Sequence, residues 1–159
     1  MIKKPLIHSD DAEHKQDRSM AEVPDTIAID VPRVISKLDH VRDSVVEFLK
    51  QHNISEASAS RIELSVYEAV VNIVEHSSHY KKNETIHVEC THHDDEVVIT
   101  ITHFGDKFEI TKAELPDIEK HYKSGKMRGL GIYFIMTLMD KVEYSHEDMQ
   151  NTLTMTKKV

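Results

Sequence analysis

Apolar residues return at two different periods along this chain, and the switches between them outline its elements. Thr26-Ile-Ala-Ile-Asp-Val31 alternates in the manner of a half-buried strand, and Pro32 ends it. Over residues 33–52 the apolar positions are Val34, Leu38, Val41, Val45, Phe48 and Leu49. Steps of three and four residues put them on one face of an amphipathic helix. Asn53-Ile-Ser55 interrupts the pattern, and Ser55 or Ser58 can cap a second helix running to about Ser77. Residues 85–91 and 97–102 are β-rich runs joined by His92-His-Asp-Asp-Glu96, which predicts a hairpin. Residues 129–139 are apolar on nearly every side, which predicts a buried helix. Residues 142–145 and 152–156 predict a closing hairpin around Glu147-Asp-Met-Gln150. Hairpin-linked strands with helices in blocks predict an α+β fold: a two-layer sandwich, its sheet mostly antiparallel, with helices on one face.

The length of 159 residues suits one domain with a tail. Residues 1–24 are polar and of mixed charge, bracketed by Pro5 and Pro24, and read as a flexible tail ahead of a domain over 25–159. Residues 104–128 form a long connection rich in lysine, and a loop of that length in a small domain is usually functional. Acidic residues outnumber basic ones by 28 to 20, which argues against a nucleic-acid partner because phosphates call for a basic surface. No apolar stretch approaches the ~18–20 residues of a membrane span, and the N-terminus lacks the apolar segment of a signal peptide. The single cysteine, Cys90, allows no internal disulfide and fits a reducing cytoplasm. The histidines are scattered without ligand spacing, so no zinc site is expected.

Three constellations can carry chemistry. Glu68, Asn72 and His76 recur every fourth residue and share one stripe of the second helix. A carboxylate one turn from a carboxamide can accept a proton and ligate Mg²⁺ beside it, although a solvated helix face has the same spacing. Arg128-Gly129-Leu130-Gly131 opens the last helix, where two glycines and free N–H groups suit an anion; a plain loop-to-helix turn is the bland alternative. No Walker sequence or dinucleotide fingerprint accompanies it. The third is Thr102-His103-Phe104-Gly105-Asp106-Lys107-Phe108, where Gly105 marks a bend at a strand end.

In this order the three resemble one family. Glu68-Ala-Val-Val-Asn72-Ile-Val-Glu-His76 resembles the N box of the GHKL (Bergerat-fold) ATPases, and more narrowly that of the bacterial anti-sigma regulatory factors with serine-kinase activity. Residues 128–144 are similar to that subfamily's second glycine box and following helix, and Asn151-Thr152-Leu-Thr154 to its closing strand. The resemblance implies an ATP-binding domain in which Glu68 is the catalytic base and Asn72 holds Mg²⁺. His76, His103, Gly105, Arg128, Gly129, Leu130, Gly131 and Thr152 would line the ATP site, and residues 109–127 would form its lid. It also implies a serine on a STAS-type anti-sigma factor antagonist as substrate, and a sigma factor released or trapped by partner switching. A cytoplasmic homodimer touching through the first strand and neighbouring helix is implied as well.

One departure stands out. The family's first glycine box begins with an Asp that accepts a hydrogen bond from the adenine amino group, followed by Gly-x-Gly. Here His103 occupies the Asp position and Lys107 the second glycine. A neutral imidazole offers one acceptor nitrogen and a weaker bond than a carboxylate, and Asp106 could replace it only by a shift of the loop. The second reading is therefore a non-catalytic interaction module of the same fold with a degenerate nucleotide site.

Overall fold

A computed structural model describes residues 25–76, 84–107, 123 and 130–159. The tail over 1–24 and the proposed lid, apart from Lys123, lie outside the described residues. The first alternating run forms β1 (Thr26–Pro32), antiparallel to β2 (Thr85–His93). β2 turns into β3 (Glu96–Phe104), and β4 (Lys141–Glu147) turns into β5 (Gln150–Lys158). β5 lies beside β3, so the sheet order is β1-β2-β3-β5-β4 with every neighbouring pair antiparallel. Among the described residues three α-helices, α1 (Leu38–Gln51), α2 (Glu56–His76) and α3 (Gly131–Leu138), form the second layer. The predicted α+β two-layer sandwich is therefore the observed one.

The period of two explains the core. Every second residue of β2, β3 and β5 faces the helices, and Ile86, Val88, Cys90, Ile99, Ile101 and Met155 are fully buried there. Burial pushes the Cys90 thiol up to about 12, so it behaves as a small apolar residue, not a nucleophile. The opposite face is rich in threonine, with Thr100 opposite Thr154 and Thr102 opposite Thr152. Among the described residues no helix is long and apolar enough to cross a membrane.

α1 starts later than its apolar period predicts. A single 3-10 turn, Ile35–Lys37, precedes it, and Val34 is extended and about half exposed (48%), so neither Val34 nor Ile35 joins the core. Just before this turn the Arg33 guanidinium donates to the Phe104 carbonyl at the far end of β3. α1 ends in a Schellman turn: Asn53 takes a left-handed φ of 55°, and the Ile54 N–H reaches the Leu49 carbonyl at 3.0 Å. Ser55, one of the two predicted caps, then accepts the Ser58 N–H at 3.3 Å and starts α2.

The last helix also differs from expectation. Of α3 only Gly131 and Ile135 are buried. Two turns bring one face against α2, so the apolar residues around the remainder stay half-buried.

Two features of the last hairpin lead to predictions. Asp148 and Met149 both have positive φ (48° and 66°), the geometry of a type I′ turn that favours Asn-Gly. Met149→Gly is expected to raise stability by about 1 kcal/mol, read as a higher midpoint in urea with an unchanged slope. At the other end, Asp140 Oδ2 accepts the Lys158 N–H at 2.7 Å and pairs with the largely buried Lys157 Nζ at 3.0 Å. The backbone N–H and Lys157 hold this carboxyl below its ordinary pKa. Its stabilisation is therefore present above the ordinary carboxylate range and is lost as pH falls through the depressed value. Asp140→Asn should cost about 1 kcal/mol at neutral pH, and thermal melts of the two proteins should converge in acid.

Candidate functional site

α2 positions the central pair. Its inward stripe, Ile62, Val66, Ala69, Val70 and Ile73, anchors it to the core, which turns Glu68 and Asn72 toward the start of α3. Both are half-buried. Gly131, the first residue of α3, is buried against them. A Cβ at Gly131 would lie 2.6 Å from Glu68 Oε2 and 3.1 Å from Asn72 Nδ2, so any larger residue would have to push these side chains aside. Carboxylate, carboxamide and the first turn of α3 thus meet at one point, although they are 59–63 residues apart in the chain.

Two properties of this point are chemical. Desolvation raises the Glu68 pKa above its ordinary 4.5, and the negative charge of Glu75 adds to the rise. Asn72 Nδ2 is buried with no hydrogen-bond partner among the described residues. An orphaned amide costs free energy unless a ligand satisfies it. A half-turn of its χ2 presents either an N–H to a phosphate oxygen or a carbonyl oxygen to Mg²⁺. The point where Glu68 and Asn72 meet the first turn of α3 therefore fits a metal-bound polyphosphate. Leu130 is half-buried and its carbonyl accepts the Phe134 N–H at 2.9 Å, so it forms the helix start. Arg128 and Gly129, expected beside it, lie outside the described residues. His76 does not join the pair: its side chain is 56% exposed and stands 3.8 Å from Glu75.

A second polar spot lies on the same side of the sheet. The helix-facing positions of β3 read Val97, Ile99, Ile101, all buried and apolar, and then His103, buried at 6% exposure. Asn151 stands opposite His103 on β5, and His146 opposite Asn151 on β4. Arg33 Nη2 donates to the Phe104 carbonyl and lies 3.3 Å from His103 Nδ1. Asn151 Nδ2 donates to the Gly105 carbonyl at 3.1 Å, while its Oδ1 accepts from Tyr144 and lies 3.1 Å from His146 Nδ1. Gly105 is needed for its backbone, with φ at 147° and its N–H on the Met149 carbonyl at 2.9 Å. Burial drives the His103 pKa down to about 4, with help from the charges of Arg33 and His146, so the imidazole is neutral at physiological pH.

Thr152 does not reach this spot. It pairs with Thr102 and Ser145, one residue out of step with His103, and so lies on the threonine-rich face away from the helices. A shift of one residue reverses the face of a strand position, and Asn151 takes the place expected of Thr152. Arg33, Asn151, Tyr144 and His146 were not expected at a site. For Asn151 the signal was present, as the residue opposite His103 once the β3–β5 register is known. Arg33 had none, being 70 residues from the imidazole it touches.

Comparison with known proteins agrees with this architecture. The histidine kinase-like ATPase domain profile matches residues 32–157. A serine-protein kinase RsbW of Halalkalibacterium halodurans is 31% identical over 138 residues, covering 84% of this chain and 83% of that protein. An anti-sigma F factor of Oceanobacillus iheyensis is 28% identical over 126 residues, covering 74% and 82%. The crystal structure of the RsbU and RsbW domains of a Mycobacterium tuberculosis protein has a TM-score of 0.62 at 18% identity over 84% of this chain, which spans only 32% of that longer one. The SiaB–SiaC complex from Pseudomonas aeruginosa gives a TM-score of 0.58 at 14% identity, covering 84% of this chain and 89% of the matched one. At these identities the two structures speak for the fold.

Proposed function

This chain belongs to the family of histidine kinase-like ATPase domains, and from that membership we propose an anti-sigma regulatory factor that phosphorylates a serine on a STAS-type antagonist. The observation that carries the reading is the contact of Glu68 and Asn72 with the Gly131 turn. Bound ATP would supply the transferable phosphoryl group, and Mg²⁺ would neutralise its charge. Asn72 would hold the metal, and the start of α3 would face the phosphates with its backbone N–H groups. Glu68 would take the proton from the substrate serine Oγ, and its raised pKa makes it a better base than an exposed carboxylate.

The activity would sit in a partner-switching cycle in the cytoplasm, where a phosphorylated antagonist is released and the sigma factor is trapped. β1 is an edge strand, and the groove between it and α1 is lined by Ile27, Ile29, Glu47 and Phe48. That open edge supports a homodimer through β1 and α1, tested by sedimentation at micromolar concentration. The test of the activity is transfer of label from γ-labelled Mg-nucleotide to the STAS proteins of the same genome. Label on a single antagonist serine is the expected result. A chain that binds an antagonist tightly but transfers nothing would support the non-catalytic module instead.

The pH profile checks the role of Glu68. Transfer needs its ionised form, so the acid limb should lie above the ordinary carboxylate range. Removing the neighbouring charge in Glu75→Gln should move that limb to lower pH. A limb that stays fixed in this variant would place the essential base elsewhere.

A further inference from the structure

The polar spot around His103 and the meeting point of Glu68, Asn72 and Gly131 differ in what they leave open to a ligand. From that contrast we propose that the site reads the Mg-bound triphosphate and is indifferent to the base it carries. This rests on the nucleotide-binding reading above and names its substrate class, purine and pyrimidine nucleoside triphosphates alike. The groups around His103 are committed to one another. Asn151 is 1% exposed; its Nδ2 donates to the Gly105 carbonyl and its Oδ1 accepts from Tyr144. The Phe104 carbonyl accepts from Arg33, and the Gly105 N–H donates to the Met149 carbonyl. Arg33, itself buried, follows the end of β1 and reaches across to β3 to make its contact.

His103 is satisfied in either tautomer. Its Nδ1 lies 3.2 Å from the Phe104 carbonyl and 3.3 Å from Arg33 Nη2. With the proton on Nδ1 the ring donates to the carbonyl. With the proton on Nε2, Nδ1 accepts from the guanidinium. The two distances are nearly equal, so neither form is locked. Nε2 is accordingly an acceptor in one tautomer and a donor in the other. A base edge that meets it is matched whether it presents an amino group or a carbonyl oxygen. Burial keeps the ring neutral at physiological pH, which preserves both forms. Discrimination needs a buried group of one polarity that the wrong partner leaves unpaired, and a group that can reverse its polarity rejects neither.

The point beside α3 is the reverse. Asn72 Nδ2 is buried with no hydrogen-bond partner among the described residues, and Glu68 stands one helical turn away against the same glycine. An orphaned amide gains a hydrogen bond when a ligand arrives, whereas a network already satisfied gains nothing. The free energy of binding is therefore concentrated on the metal and the phosphates, which every nucleoside triphosphate shares.

The test is titration calorimetry of the full chain with the Mg²⁺ complexes of ATP, GTP and CTP, followed by displacement of ATP with Mg-tripolyphosphate. The three nucleotides are expected to bind within about threefold of one another, and tripolyphosphate to displace ATP. Asn72→Ala should weaken all three by the same factor, because it acts on the phosphates they share. ATP tighter than GTP and CTP by about tenfold or more overturns the inference and leaves the nucleotide reading intact. Failure of tripolyphosphate to displace ATP, or a loss in Asn72→Ala confined to one nucleotide, overturns it in the same way. No heat from any nucleotide at millimolar concentration overturns both. The wild-type ranking decides the matter even if the variant does not fold.

Discussion

Glu68→Gln is expected to lower serine phosphorylation by a hundred- to ten-thousand-fold, roughly the contribution of a positioned general base. Nucleotide affinity should stay within about twofold, because the proton acceptor meets the incoming hydroxyl and not the base or the ribose. The variant should also be more stable than the parent at neutral pH. The raised pKa of Glu68 means that the folded state disfavours its charge, chiefly by desolvation. Such a group favours folding below the ordinary carboxylate range and costs stability once pH has risen through its folded pKa. Glutamine removes that cost, so the variant should melt higher at pH 7, and the difference should vanish as pH falls. Gain of stability with loss of transfer marks a residue kept for chemistry. Loss of stability and of nucleotide affinity together would show that Glu68 is structural.

Gly131→Ala should separate folding from function in a second way. The added Cβ would meet Glu68 Oε2 at 2.6 Å and Asn72 Nδ2 at 3.1 Å. The nearer atom is the end of a flexible side chain, so Glu68 can swing aside. Alanine also suits a helix better than glycine by up to about 1 kcal/mol. The two effects oppose each other, and the melting midpoint should move by no more than a few degrees. Transfer should fall about a hundredfold or more, because a displacement of ~1 Å at a reacting group costs that much. Nucleotide affinity should fall too, since Asn72 and the first turn of α3 are crowded at once. Circular dichroism melts and the transfer assay read the two effects separately. Full activity in this variant would mean that the contact does not position Glu68.

The elements were largely legible in the chain. Among the described residues, alternation and β-rich runs located the five strands, three- to four-residue steps the first two helices, and an apolar run the last. The errors fell at element ends and in contacts between elements. The period of α1 points to a start near Val34, but Val34 is extended and a 3-10 turn over Ile35–Lys37 precedes the helix, which begins at Leu38. The apolar run of α3 implied burial on all sides, yet two turns have only one face against α2. Thr152 carries the resemblance in sequence, but register places Asn151 beside His103. Alternation with Leu153 and Met155 marks the threonines of β5 as facing away from the core, but register is a relation between strands, so only the sheet shows which residue lies opposite His103.

The site divides in the same way. The four-residue step from Glu68 to Asn72 is a property of one helix, so the sequence alone determined that they share a face, as it determined the two-layer fold and the glycine pair at the start of the last helix. Tertiary structure alone decided that Gly131 closes against that face, that His76 stays outside it, and that Asn72 is left with an unsatisfied amide. It also decided that His103 is buried beside Arg33, which lies 70 residues away in the chain. Periodicity acts within an element, whereas burial and hydrogen-bond partners arise between elements, and only the packed fold holds those partners at contact distance.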